Sequence, residues 1–221
     1  MDYDSLKEIL KSKPEIDNLV SDVLNEPSMI LELLEVIRRE KSSIKFTSAK
    51  IIRLASERKP ELVYPYFDKI AELLKNKNSF IKWDGIIILS NLAGVDKDSK
   101  FDLIYDDYFD LIKESQMVTA GNVIGNAWKI VLAVPRYEVD ITKRILTVPD
   151  VVYLYKGEPS SECNNVVCGH AIDCLDQYFD SSGLKGDIIE FVEAQLKNTR
   201  KSVVKKAERF LKKHSVRTIN R

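Results

Sequence analysis

The chain is short of residues that break or staple a fold. Eight glycines and seven prolines are spread over 221 residues, too few for a loop-dominated or collagen-like chain. They fall mainly at boundaries: Pro14, Pro27, Pro60, Pro135, Pro149, Gly157, Pro159 and Gly183. A helical array places its punctuation there. The three cysteines, Cys163, Cys168 and Cys174, are an odd number in one short stretch. That argues against disulfide stapling and points to a reducing, cytoplasmic compartment. No run approaches the ~18 apolar residues of a membrane span. The opening Met-Asp-Tyr-Asp-Ser-Leu-Lys has no basic or apolar signal region, so no signal peptide is expected there. Neither charge is in surplus, with 34 Lys and Arg against 34 Asp and Glu, which disfavours a whole-body polyanion binder. Phosphate loops, dinucleotide fingerprints, His-Glu-x-x-His pairs and nucleophile elbows are all missing from the sequence. We therefore expect no cofactor, no metal and no enzyme.

What is present is a repeat. Residues 44–55 begin Ile-Lys-Phe and residues 81–92 begin Ile-Lys-Trp, and both continue as apolar helices. Each copy carries a bulky residue, one three places on and one three beyond. The sets are Phe46, Ala49 and Ile52; Trp83, Ile86 and Leu89; Ile124, Ala127 and Ile130; Cys168, Ala171 and Cys174; Val204, Ala207 and Phe210. By position they start 37, 41, 44 and 36 residues apart. Steps of three run along one side of a helix and drift slowly round it. Alanine in the middle place of four copies would let a neighbouring helix pass close. Trp83, matching Phe46, is assigned to the core.

A second helix follows each first one. Pro60 to Lys75 carries Val63, Phe67, Ile70 and Leu74 inward, and Lys100 to Glu114 carries Tyr105, Phe109 and Ile112. Tyr66-Phe67 recurs as Tyr108-Phe109 after 42 residues, so extra residues fall in the turn-rich stretch 93–99. Pro14 and Pro27 open two helices of a degenerate first repeat. Gly125 and Gly169 occupy similar sites and read as close helix contacts, the alternative being backbone exposed to a ligand. Residues 149–161 break the period. They either cover an edge of the core or form an exposed loop at a binding surface.

Helix pairs with a period near 40 and small residues at fixed points resemble the HEAT-type repeat and the related armadillo type, over roughly Pro14 to His214. One pair cannot bury its apolar face alone, and stacking neighbours produces a continuous core. The expectation is an all-α, right-handed α-solenoid of about five antiparallel helix pairs plus a C-terminal capping helix. Residues 1–221 form a single repeat domain, with repeats near 14–40, 43–76, 78–115, 118–148 and 161–197, a cap at 199–214 and a basic tail at 215–221. The resemblance implies a concave side lined by second helices, near 28–39, 61–75, 100–114, 138–147 and 185–196.

Several constellations invite chemistry. Cys163, His170 and Cys174 share a stripe if their helix is continuous, but Cys163 lies about 10 Å further along the axis, too far for one zinc. In the repeat register Cys168 and Cys174 fall at core positions and His170 at a tolerant polar site. Seven carboxylates between Asp96 and Glu114, Asp106 and Asp110 among them, face Lys97, Lys100 and Lys113. They read as a solvated face or as a strip for a basic partner. From Lys197 onward ten basic residues face one acid, Glu208. Lys201, Lys205, Arg209 and Lys212 are the candidate contacts there for an anionic partner, the alternative being a solvated cap. No outward aromatic is interleaved to stack a base. Trp128, Tyr64, Asp106, Asp110, Tyr153 and Tyr155 are the candidate contacts for a protein.

Function is thus expected to be binding: a non-enzymatic scaffold that grips a protein or peptide on its concave helical face. The rival is nucleic-acid binding, on the pattern of HEAT-like DNA glycosylases, through the basic C-terminal region. No membrane partner is expected, and the oligomeric state stays open.

Overall fold

The structure is a computed structural model that describes residues 1–218, with side chains to His214. The expected basic tail, 215–221, with Arg217 and Arg221, lies outside the residues whose side chains are described. The chain divides into two compact units, Met1–Tyr108 and Phe109–Arg221.

In the first unit the helices are α1 (Tyr3–Lys11), α2 (Ile16–Asn25), α3 (Met29–Arg39), α4 (Ile44–Arg58), α5 (Pro60–Val63), α6 (Phe67–Ala71), α7 (Ser79–Leu92) and α8 (Lys100–Phe109), the last running one residue past the unit. Asp2 caps α1 by accepting from the Ser5 amide at 2.9 Å. Pro14 and Pro27 lie just ahead of α2 and α3 rather than inside them, whereas Pro60 is the first residue of α5. The second helix of this repeat is not continuous. Tyr64–Tyr66 and Glu72–Lys75 are 3-10 turns on either side of α6. Pro65 is the physical cause of the first break, because it has no N–H to give to the α ladder.

The long first helices α4 and α7 lie flank to flank. Arg53 Nε donates to Asp84 Oδ1 at 2.8 Å, and Asn91 Nδ2 donates to Ser56 Oγ at 2.9 Å. Both pairs ascend together, so the two helices run parallel. Ala49, Ile52, Ile86 and Leu89 are fully buried. Burial of each large apolar side chain is worth about 1.5–3 kcal/mol. Gly85 is the point of closest approach: a Cβ there would stand 2.8 Å from Leu73 Cβ.

The second unit holds α9 (Met117–Ala133), α10 (Glu138–Leu146), a hairpin of β1 (Leu154–Tyr155) and β2 (Glu158–Pro159), α11 (Ser161–Tyr178), α12 (Lys185–Ala194) and α13 (Lys201–Thr218). Helix α11 is flanked by α9 and by α13. Ala127, Ala171 and Ala207 are wholly buried, as their place in the repeat requires. Gly169 meets the α13 side chain Val203, whose Cγ2 would be 3.3 Å from an added Cβ. The helix-contact reading of that glycine holds. The neighbouring element at Gly125 is His170, at 3.9 Å.

Residues 149–161 do two jobs. Tyr153 is fully buried and donates from its hydroxyl to the Ile112 carbonyl at 2.8 Å. Its neighbours Val152 and Tyr155 are exposed. Lys156 and Gly157 both have positive φ at the hairpin tip, the geometry of a tight two-residue turn.

Candidate interaction surfaces

In the first unit, the solvent side of α4 and α7 carries an aromatic row. Phe80 is 63% exposed. Its ring meets Phe46 edge-on at 6.0 Å and Trp83 edge-on at 5.0 Å. Phe46 and Trp83 are half-buried. This corrects the core assignment of Trp83. Three-residue steps fall about 60° short of a full turn, so the first member of a set sits at the edge of the buried stripe. Continuing the row back from Trp83 puts Phe80 further round, in water. The signal for Phe80 is legible in the sequence, one three-residue step before Trp83.

Beside the row, Lys45 Nζ lies 5.0 Å from the Phe46 ring centre. Lys50 is exposed one turn beyond Phe46, near enough to lower the pKa of Asp84. Burial nevertheless outweighs Lys50 and Arg53, and the Asp84 carboxyl sits above its ordinary range. Arg53 also pairs with Glu57 at 3.0 Å.

Tyr64 is not a surface residue. It is 5% exposed, and its hydroxyl donates to Asp96 Oδ1 at 2.7 Å. Asp96 in turn accepts from the Lys100 and Phe101 amides at 2.8 Å each, which caps α8. The partner-contact assignment for Tyr64 is therefore replaced by a structural one, and Tyr153 is corrected likewise by its burial. Asp106 is exposed on α8. In the second unit, Asp110 is exposed and pairs with Arg144 at 3.3 Å and Lys113 at 3.5 Å. Trp128 is half-buried with Lys129 Nζ 5.9 Å from its ring, and Tyr155 is 58% exposed with Lys156 Nζ at 5.4 Å.

The basic block is partly neutralised from within. Lys206 pairs with Asp173 and donates to the Gly169 carbonyl at 3.2 Å. Lys213 meets Asp176 at 2.9 Å, Arg209 lies 3.5 Å from Asp173, and Arg200 pairs with Glu162. Lys201, Lys205, Arg209 and Lys212 are all exposed on α13. His214 is buried between Phe179 and Phe210, with ring centres 4.3 and 4.5 Å away, and meets Asp176 at 2.7 Å.

The thiols and His170 do not converge. Cys163 Sγ faces the Leu154 carbonyl at 3.9 Å. Burial raises the Cys168 thiol to about 11 and the Cys174 thiol to about 12. His170 is exposed, with one edge of its ring against Gly121, and partial burial of the ring, with Lys206 second, lowers its pKa. Among the described residues no group of three or more His, Cys, Asp and Glu is placed to hold a metal ion. A cleft of about 630 Å³ lies under the hairpin, with Asn164, Asn165, Gln195 and Asn198 in its wall. Their amides are engaged locally: Asn164 with the Val148 carbonyl, Asn165 with Thr199, and Asn198 with Gln195.

No protein-family profile matches the chain, and no curated protein does. Among solved structures it is similar to a designed armadillo repeat protein in complex with the peptide (KR)4. The TM-score is 0.59 at 12% identity, over 96% of this chain and 93% of that one. The fold is therefore an all-α helical-repeat fold of the α-solenoid class, close to the armadillo type. No helix of the described residues is long and apolar enough to cross a membrane.

Proposed function

We propose that this chain is a non-enzymatic scaffold that binds a protein or peptide partner through the solvent side of its first helices. The observation that carries the reading is the aromatic row on α4 and α7, with Phe80 63% exposed between two half-buried rings. Aromatic side chains set among polar groups are the usual anchors of protein contacts. A fold shared with a repeat protein solved with a bound peptide supports the same reading. So does the fate of the titratable groups: Cys168 and Cys174 are buried with raised pKa values, and the nearby Asp173 and Asp176 join α11 to α13. The three buried free thiols suit a reducing compartment.

The rival nucleic-acid reading draws less support, because four bases of the C-terminal block are already held by carboxylates. The test is site-specific photocrosslinking. A photoreactive residue at position 80 should give discrete protein adducts, whereas one at position 205 should not. Absence of any protein adduct from either position, with turnover of a small substrate by the purified chain, would reject the scaffold reading.

A further inference from the structure

Lysines border the aromatic row on its α4 side. Between Glu40 and Glu57 the chain carries Lys41, Lys45, Lys50 and Arg53 and no carboxylate. Neither α4 nor α7 has an acidic residue in its first turn. Both helices therefore direct the positive end of their dipole, unneutralised by their own side chains, toward the end where Phe46 and Phe80 sit. The nearest carboxylate on α7, Asp84, is taken up by Arg53 at 2.8 Å. An exposed ring that stands in water beside lysines fits a ligand that is apolar at its centre and acidic at its flanks.

We propose that this face takes an acidic peptide segment, in which a bulky apolar side chain packs on Phe80 and Trp83 while flanking carboxylates meet Lys45 and Lys50. The proposal rests on the scaffold reading and assigns its ligand chemistry. Lys45 lies 5.0 Å from the Phe46 ring centre, so a carboxylate bound there is within reach of a side chain that covers the same ring. Lys50 is poised one turn further along the same stripe, where a second carboxylate of an extended or helical segment falls. The surrounding polar groups keep the row soluble while it is empty, and the rings gain contact when it is filled.

The test uses a fluorescein-labelled peptide in which Phe and Leu are each flanked by pairs of Glu. Anisotropy is read against the full chain. Binding should weaken at least about tenfold in Phe80→Ala. It should weaken severalfold in Lys45→Glu and in Lys50→Glu, and decline as salt rises. Two controls should bind poorly: the same peptide with every Glu changed to Lys, and one with Phe and Leu changed to Ala. Circular dichroism checks that Phe80→Ala is folded, and the two lysine variants carry the test if it is not. Equal binding of the Glu and Lys peptides, or no loss in any variant, overturns the proposal. So does a sedimentation result in which Phe80→Ala dissolves a dimer, because the row is then covered by a second copy. If the acidic peptide fails while a crosslink from position 80 still yields a protein adduct, the ligand chemistry is wrong and the scaffold reading stands.

Discussion

The Tyr64 hydroxyl donates to Asp96 across 32 residues at 2.7 Å. The same carboxylate receives the amides of Lys100 and Phe101 at 2.8 Å. One side chain thus fixes the start of α8 and ties it to the preceding repeat. Tyr64→Phe should cost about 1–2 kcal/mol, since the hydroxyl's contacts with Asp96 and Asp98 are lost together. Asp96→Ala should cost more, about 2–3 kcal/mol, because the cap of α8 is lost as well and the phenol keeps only its longer contacts with Asp98, at 3.2 Å. Denaturant melts give the magnitudes. Hydrogen exchange should localise the damage to the first turn of α8.

The buried phenols set the alkaline limit. Burial raises the pKa of Tyr64, Tyr153 and Tyr178 above the ordinary value of 10.0. A folded-state value above the unfolded one means the native chain holds more protons. Stability from these groups is whole below the unfolded value and falls as pH rises beyond it. Tyrosinate absorbance should therefore show a late-titrating fraction that emerges together with the loss of helical dichroism. If all tyrosines titrate as one ordinary population while the helices persist, this fails.

Acid should loosen the other end. Burial pushes Asp176 up, but hydrogen bonds from Lys213 and His214 outweigh it and hold the carboxyl below its usual range. Here the stabilisation is present above the unfolded value and is lost as pH falls through the lower folded one. Asp176→Ala should remove about 1 kcal/mol at neutral pH. Faster amide exchange in α13 up to His214 is the expected readout, with α4 and α7 unchanged.

Two glycines should behave in opposite ways to a third. Gly85→Ala places a Cβ against the Leu73 Cβ, at 2.8 Å before relaxation, and no rotamer moves that atom aside. The expected cost is about 1–3 kcal/mol. Gly157→Ala is strained by its φ of +89° and should cost about 1 kcal/mol. Gly94→Ala meets nothing within 4 Å and should be neutral or stabilising by about 0.5 kcal/mol. Thermal melts of the three variants give the order.

The thiols give a simple probe of integrity. Cys163, Cys168 and Cys174 are all buried, and burial raises Cys168 and Cys174 far above neutral pH. An exposed-thiol reagent at neutral pH should label the native chain slowly and the denatured chain completely. Rapid stoichiometric labelling of the native chain would contradict the packing of α11.

The helices were legible because a three-residue rhythm of bulky and small side chains states which way each helix faces. It does not state how deep each position lies. Ala49, Ala127, Ala171 and Ala207 are wholly buried as the rhythm implies, but Trp83 is only half covered, since rows of three slip round the helix. The break at Pro65 is written in the sequence, but the apolar spacing continues through it and masks it. Tyr64 and Tyr153 look from the sequence like contact aromatics. Only the fold shows that their hydroxyls reach Asp96 and the Ile112 carbonyl, partners that lie far off in the chain.

The polar pairs along the flanks have opposite orders. On α4 and α7 the cation Arg53 belongs to the earlier helix and the anion Asp84 to the later one. On α11 and α13 the anions Asp173 and Asp176 come first, and the cations Lys206 and Lys213 follow. In the repeat register Trp83 matches Val204, so grafting α7 in the place of α13 would set Gly85 where Lys206 stands and take from Asp173 that cation. Despite their shared spacing, these helices are not interchangeable cassettes. Duplicating or shuffling them in an engineered array would demand rewriting each joint separately.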